Sequence, residues 1–243
     1  METPRIAVVD YHKGNLSSVV RGLARAGAQA LITDDPHEIA AADGIVLPGV
    51  GSFFDAITFM HASGQDRAVI DAAAAGKPFL GICLGLQLLF ARGDEGVPAD
   101  ADAVPAATAY GDGLAPGSVF EADDTRWVRG LGVLEGSCSR LSSRRLKVPH
   151  VGWDQMHLTP AGQTSALLAG VAEGANVYFT HSYALDDDCD PSIVLARTHY
   201  VRSFPCIVGT GNIYGCQFHP EKSSVLGLEM LANFAAIVRT SNA

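Results

Sequence analysis

The sequence predicts an α/β fold: a mostly parallel sheet flanked by helices, with antiparallel strands added in the C-terminal half. Three observations predict it. Short apolar runs of strand length alternate with helical patterns through the N-terminal half, glycine-rich turns stand where those runs end, and the later part is a series of strand-like runs separated by turns. At 243 residues and without a break in composition, the chain reads as a single domain spanning 1–243.

Taken in order, Ile6-Ala7-Val8-Val9 is a buried strand and Gly14-Asn15 opens a helix. Leu16, Val19, Val20, Leu23 and Ala26 repeat at helical spacing, and Gly27 closes that helix. Residues 30–32 and 45–47 are further short apolar runs, the second followed by Pro48-Gly49-Val50-Gly51. A helical stretch ends at Ala75-Gly76, and the apolar run 78–82 leads directly into Cys83. Residues 96–125, rich in Ala, Gly, Pro and Asp and without periodicity, read as a long surface insertion, partly mobile. Beyond it, 177–180, 193–195, 206–208 and 212–218 are strand-like. A closing helix carries Val225, Leu228, Leu231, Phe234 and Val238 on one side and is expected to be capped by Ser223 or Ser224.

Composition removes whole classes of function. Net charge is −9 with no basic stripe, which argues against nucleic acid and anionic membrane as partners. No apolar stretch approaches a membrane span, and the N-terminus runs straight into a strand rather than a signal-peptide core. The five cysteines are odd in number and lack paired zinc-type spacing, so they read as free thiols in a reducing cytoplasm, with no metal expected. Neither a Gly-x-Gly-x-x-Gly nor a Walker sequence is present, which leaves a nucleotide cradle poorly supported.

Two segments carry chemistry. Gly81-Ile82-Cys83-Leu84-Gly85 places a thiol on a strand-to-helix turn, where small neighbours tolerate the strained backbone and the following helix N-terminus favours thiolate. Gln217-Phe218-His219-Pro220-Glu221 ends a strand, and the period of two puts His219 and Glu221 on one side. Thiol, imidazole and carboxylate are the parts of an activated nucleophile: Cys83 attacks, His219 carries the proton, Glu221 fixes the tautomer. Attack on an amide creates an oxyanion, for which the N–H of Leu84 and one from the Pro48-Gly49-Val50-Gly51 loop are candidate donors.

These segments resemble the class I, triad-type glutamine amidotransferases, and more specifically the glutaminase subunits of imidazole glycerol phosphate synthase. The resemblance also rests on Val9-Asp10-Tyr11, Leu47-Pro48-Gly49-Val50-Gly51-Ser52-Phe53, Val148-Pro149-His150-Val151-Gly152-Trp153 and Tyr178-Phe179-Thr180-His181-Ser182-Tyr183. It covers nearly the whole chain outside the insertion. It implies a flavodoxin-like, mostly parallel sheet and hydrolysis of L-glutamine without a cofactor. Ammonia would pass to a separate cyclase chain, a (β/α)₈ barrel, in cytoplasmic histidine biosynthesis. Cys83, His219 and Glu221 would be the triad, with Val50 and Leu84 as oxyanion donors. Gly51, Gln87, Glu95 and the backbone around His181 and Ser182 would hold glutamine, while Asn15, Trp153 and Lys222 would face the cyclase. Two departures concern that face: His12-Lys13 stands where smaller residues are usual, and 96–125 is longer than the family pattern. Two other readings are a glutaminase serving another acceptor, such as a pyridoxal phosphate synthase, and a non-catalytic module retaining the fold. An intact Cys83, His219, Glu221 set argues against the second.

Overall fold

The computed structural model describes residues 3–12, 14 and 16–241. The N-terminal half runs β1 (Arg5–Val9), α1 (Leu16–Arg25), β2 (Gln29–Thr33), α2 (Pro36–Ala41), β3 (Gly44–Gly49), α3 (Phe53–Ser63), α4 (Gln65–Ala74), β4 (Phe79–Cys83) and α5 (Leu84–Leu89). The rest comprises β5 (Phe90–Gly93), β6 (Val119–Ala122), β7 (Thr125–Arg129), β8 (Leu134–Arg140), β9 (His150–Gln155), β10 (His157–Leu158), α6 (Pro160–Gln163), β11 (Asn176–His181), β12 (Tyr183–Leu185), β13 (Val194–His199), β14 (Ser203–Thr210), β15 (Ile213–Cys216) and α7 (Ser224–Ser241).

The central sheet has eight strands in the order β10-β13-β14-β15-β4-β3-β1-β2. Its inner strands are buried on both faces, so their sequences are continuous apolar runs rather than alternating ones. Side chains nevertheless alternate in direction. Ile6, Val8, Val46, Leu80 and Ile82 pack with α1 and α7 residues such as Leu23, Leu231 and Phe234. Val9, Ile45, Leu47 and Phe79 pack on the opposite face with Phe53, Ile57, Met60 and Val69 of α3 and α4.

The C-terminal strands β13, β14 and β10 are antiparallel additions, but β15 runs parallel to β4, with Cys216 opposite Ile82. That parallel pairing decides the site. It sets the chain end after β15 beside the end of β4, so the segment carrying His219 emerges next to Cys83. A second sheet, β12-β8-β5-β7-β6, and a two-stranded ribbon of β9 and β11 stand against this end.

Three expectations change. Residues 96–125 do not end as a loose loop: 119–122 form β6, Phe120 is fully buried, and Val104 bridges to it. Arginine side chains hold the remainder. Arg126 donates to the carbonyls of Pro98, Ala99 and Ala101, Arg129 to that of Tyr110, and Arg92 to that of Ala109. Order imposed by guanidinium groups on irregular backbone leaves no periodicity to read. In α7, Val225 is 76% exposed, and Met230, Ala235 and Ile237 are buried in addition to Leu231, Phe234 and Val238. Ser223 stands just before α7, but its hydroxyl does not cap the helix: it donates to the His219 carbonyl at 2.7 Å and accepts the Tyr178 N–H at 3.0 Å.

Candidate active site

Cys83 ends β4 with φ 55° and ψ −109°, the left-handed, strained backbone expected of a nucleophile elbow. The glycines beside it are required by close approach rather than by turn conformation. A Cβ on Gly85 would lie 1.7 Å from the Leu47 carbonyl oxygen, and one on Gly81 2.6 Å from that of Gly85. The elbow therefore forms only because strand and helix pack at backbone contact. Cys83 is 5% exposed.

His219 and Glu221 meet, though not through strand period. β15 ends at Cys216, and Pro220–Lys222 is a single 3₁₀ turn that folds Glu221 back. His219 Nδ1 lies 2.9 Å from Glu221 Oε1, with both side chains almost fully buried. The backbone of His219 is braced by its N–H to the Tyr178 carbonyl at 3.0 Å and by the Ser223 hydroxyl. Nε2 is buried and makes no hydrogen bond of good geometry, which leaves it poised for a proton exchanged with the thiol. Burial is the largest influence on this imidazole and works to lower its pKa. The hydrogen bonds and charges of Cys83 and Glu221 together outweigh it and push the value up to about 10.

A cleft of about 320 Å³ lies over the sulfur. It is lined by Val50, Gly51, Cys83, Leu84, Gln87, Glu95, His181 and Ser182, so every residue expected to bind substrate or oxyanion is brought together. Thr180 and Tyr183 complete it and had no assigned role. Gly51 has φ +112°, which L side chains rarely adopt. Glu95 accepts the Phe53 N–H at 3.3 Å, at the start of α3. Burial first, then the charges of Asp94 and Asp55, raise its pKa to about 7 against the opposing Phe53 bond. His181 points inward: its ring bonds the Tyr183 carbonyl at 2.7 Å and His150 at 3.2 Å. Burial chiefly lowers it to about 3, so it stays neutral.

On the ribbon, Trp153 is 54% exposed and stands opposite Tyr178, their rings 5.9 Å apart edge to face. Tyr178 in turn bonds the 219–223 turn, in which Lys222 is exposed. Asn15 and Lys13 lie outside the described residues. Gln217 was missed: it is fully buried, 3.7 Å from the Cys83 sulfur. An amide between Cys216 and Phe218 in an apolar strand end is a signal, because a buried amide must find partners. Among the described residues no group of three His, Cys, Asp or Glu side chains is arranged to hold a metal ion, and no helix is long and apolar enough to cross a membrane.

An elbow thiol backed by a buried imidazole–carboxylate pair, at the carboxyl end of an open α/β sheet, defines a thiol-dependent amide hydrolase. The Glutamine amidotransferase class-I family matches residues 7–238. Imidazole glycerol phosphate synthase subunit HisH of Symbiobacterium thermophilum is 43% identical over 234 residues, 96% of this chain and 94% of that protein. The subunit of the same name from Halalkalibacterium halodurans is 40% identical over 238 residues, 96% of each. The chain therefore belongs to the class-I glutamine amidotransferase family, within its HisH branch. The glutaminase domain of Trypanosoma brucei CTPS, solved with bound acivicin, shares the fold: the TM-score is 0.62 at 16% identity, with 98% of this chain and 94% of that one covered.

Proposed function

We propose that this chain is the glutaminase subunit of an imidazole glycerol phosphate synthase, hydrolysing L-glutamine to glutamate and ammonia at Cys83. The observation that carries the reading is the buried 2.9 Å His219–Glu221 pair set beside an elbow thiol, beneath a cleft that holds Val50, Gly51, Leu84, Gln87 and Glu95. His219, pushed up to about 10 by its bonds and charges with Cys83 and Glu221, carries the proton that the thiol yields as it attacks. Sγ attacks the side-chain amide carbon, and the N–H groups of Val50 and Leu84 receive the oxyanion. His219 gives its proton to the leaving nitrogen, releasing ammonia and leaving a thioester. It then takes a proton from water, whose oxygen attacks the thioester, and glutamate departs as the thiolate returns. Glu95 would receive the α-ammonium of glutamine, with Gly51, Gln87, His181 and Ser182 around its polar ends.

The whole chain, 1–243, acts in this reading as one domain, in the cytoplasm and without a cofactor. Ammonia passes to a separate cyclase chain, a (β/α)₈ barrel, across the face carrying Trp153 and Lys222. Exposed Trp153, an aromatic of the kind that anchors interfaces, supports that face. The test is glutamine hydrolysis with and without the cyclase, in the parent, Cys83→Ala and Trp153→Ala. Activity in Cys83→Ala would end the mechanism. Unchanged cyclase affinity in Trp153→Ala and Lys222→Ala, measured by calorimetry, would end the assigned face.

A further inference from the structure

Gln217 stands outside the triad and outside the cleft lining, yet its side chain reaches the sulfur. It is fully buried, and its Nε2 lies 3.7 Å from Cys83 Sγ, within the reach of an N–H···S hydrogen bond. Whether the amide presents nitrogen or oxygen to the sulfur is settled by the rest of the network, read from a backbone carbonyl that can only accept.

That carbonyl belongs to Tyr183. It receives the Gln87 amide at 2.9 Å, so the atom of Gln87 facing it is the NH₂ nitrogen. The second hydrogen of the same NH₂ goes to Gln217 at 3.1 Å, so the Gln217 atom facing Gln87 is its oxygen. The remaining end of Gln217, its NH₂, therefore faces the sulfur. The Tyr183 carbonyl is anchored independently. His181 donates Nδ1–H to it at 2.7 Å, and, neutral, accepts on Nε2 from His150 Nδ1 at 3.2 Å. Every donor and acceptor in this chain has one permitted direction, and it terminates with an N–H pointing at Sγ.

We propose that Gln217 is a thiolate-positioning residue: it donates a hydrogen bond to the Cys83 sulfur, favouring the ionised thiol and holding Sγ toward the cleft, while its oxygen locks Gln87 in place. A donor in contact with the sulfur stabilises S⁻ over S–H, because the ionised acceptor makes the stronger bond. The inference rests on Cys83 being the nucleophile. It assigns to Gln217 a share of the thiolate's stabilisation that His219 alone would otherwise carry. A buried Met of similar length would fill the same space without requiring two aligned partners, Gln87 and Cys83.

The test reads the thiol directly. In the full-length chain, the Cys83 thiolate displaces iodide from iodoacetamide. The other four cysteines are buried with thiols pushed up by burial, so labelling at Cys83 is followed by peptide mass spectrometry against pH. Gln217→Met should move the midpoint of Cys83 alkylation to higher pH by about one unit and lower kcat for glutamine about tenfold, with KM within about twofold. Gln217→Glu, which sets a carboxylate against the sulfur, should move the midpoint further in the same direction. Gln87→Met removes the group that orients Gln217 and should shift the midpoint the same way without touching the sulfur, so the proposal is also tested if the Gln217 variants do not fold. A folded Gln217→Met protein with parental midpoint and kcat overturns the inference, as does an unshifted Gln87→Met midpoint. Hydrolysis surviving in Cys83→Ala would instead overturn the nucleophile assignment on which it rests.

Discussion

Glu95 offers the sharpest pH prediction, because folding moves its titration into the physiological range. Burial of its carboxylate, aided by Asp94 and Asp55, raises the pKa to about 7. If the ionised form receives the α-ammonium of glutamine, substrate binding weakens as pH falls through that value. A group of pKa about 7 is ~10% ionised at pH 6 and ~90% at pH 8. KM for glutamine should then be ~10-fold above its plateau at pH 6, ~2-fold at pH 7 and close to plateau at pH 8. His219 at about 10 and His181 at about 3 both lie outside this window, so kcat should change far less than KM. Glu95→Gln should flatten the profile and raise KM at pH 8 by ~10–100-fold, the worth of a charge-assisted hydrogen bond. Stability supplies a second arm. Folding raises this pKa, so the contribution of Glu95 is fully present below about pH 4.5 and is lost as pH rises through about 7. Glu95→Gln, which resembles the neutral form, should therefore melt above the parent at pH 8 and not at pH 4. Steady-state glutaminase assays and thermal melts across pH measure both. A parental KM flat from pH 6 to 8, or a Glu95→Gln protein with the parental slope, refutes the reasoning.

Other outcomes follow from the same geometry. Cys83→Ala and His219→Ala should each lower kcat by ~10⁶ if the triad acts as a unit, with Glu221→Gln less damaging and the fold retained in all three by circular dichroism. Gly49→Ala should impair folding, since its Cβ would lie 1.5 Å from the Tyr11 hydroxyl; a normal melting temperature would contradict this. Tyr11→Phe should stabilise the protein by ~1 kcal/mol, because the hydroxyl is buried without a partner, and a chemical denaturation midpoint checks it. Arg126→Ala should speed amide exchange at Ala99, Asp100 and Ala101, in the segment whose Pro98, Ala99 and Ala101 carbonyls it holds, while leaving Cys83 alkylation unchanged.

The two halves of the candidate site were legible to different degrees, and the difference is physical. Cys83 and its flanking glycines could be read because elbow geometry is local: a strained φ and backbone contact between β4 and α5 dictate small residues at fixed spacing. His219 and Glu221 could be read as chemistry but not as geometry. Strand period suggested one face, whereas a 3₁₀ turn after Cys216 brings them together. Residues 96–125 were illegible as structure because arginine-to-carbonyl bonds leave no repeat, and the apolar face of α7 was read to include Val225, which is left in solvent.

By itself, then, the sequence determined the alternation of buried strands and helices, the elbow, and the set of side chains able to activate a thiol, since each follows from spacing or from the steric needs of a few neighbouring residues. Only the tertiary structure decided that β15 lies parallel beside β4, that the cleft gathers Val50, Gln87, Glu95 and Ser182, and that Gln217 faces the sulfur. Those relations join segments far apart in the chain, where pairing and burial rather than local propensity set position.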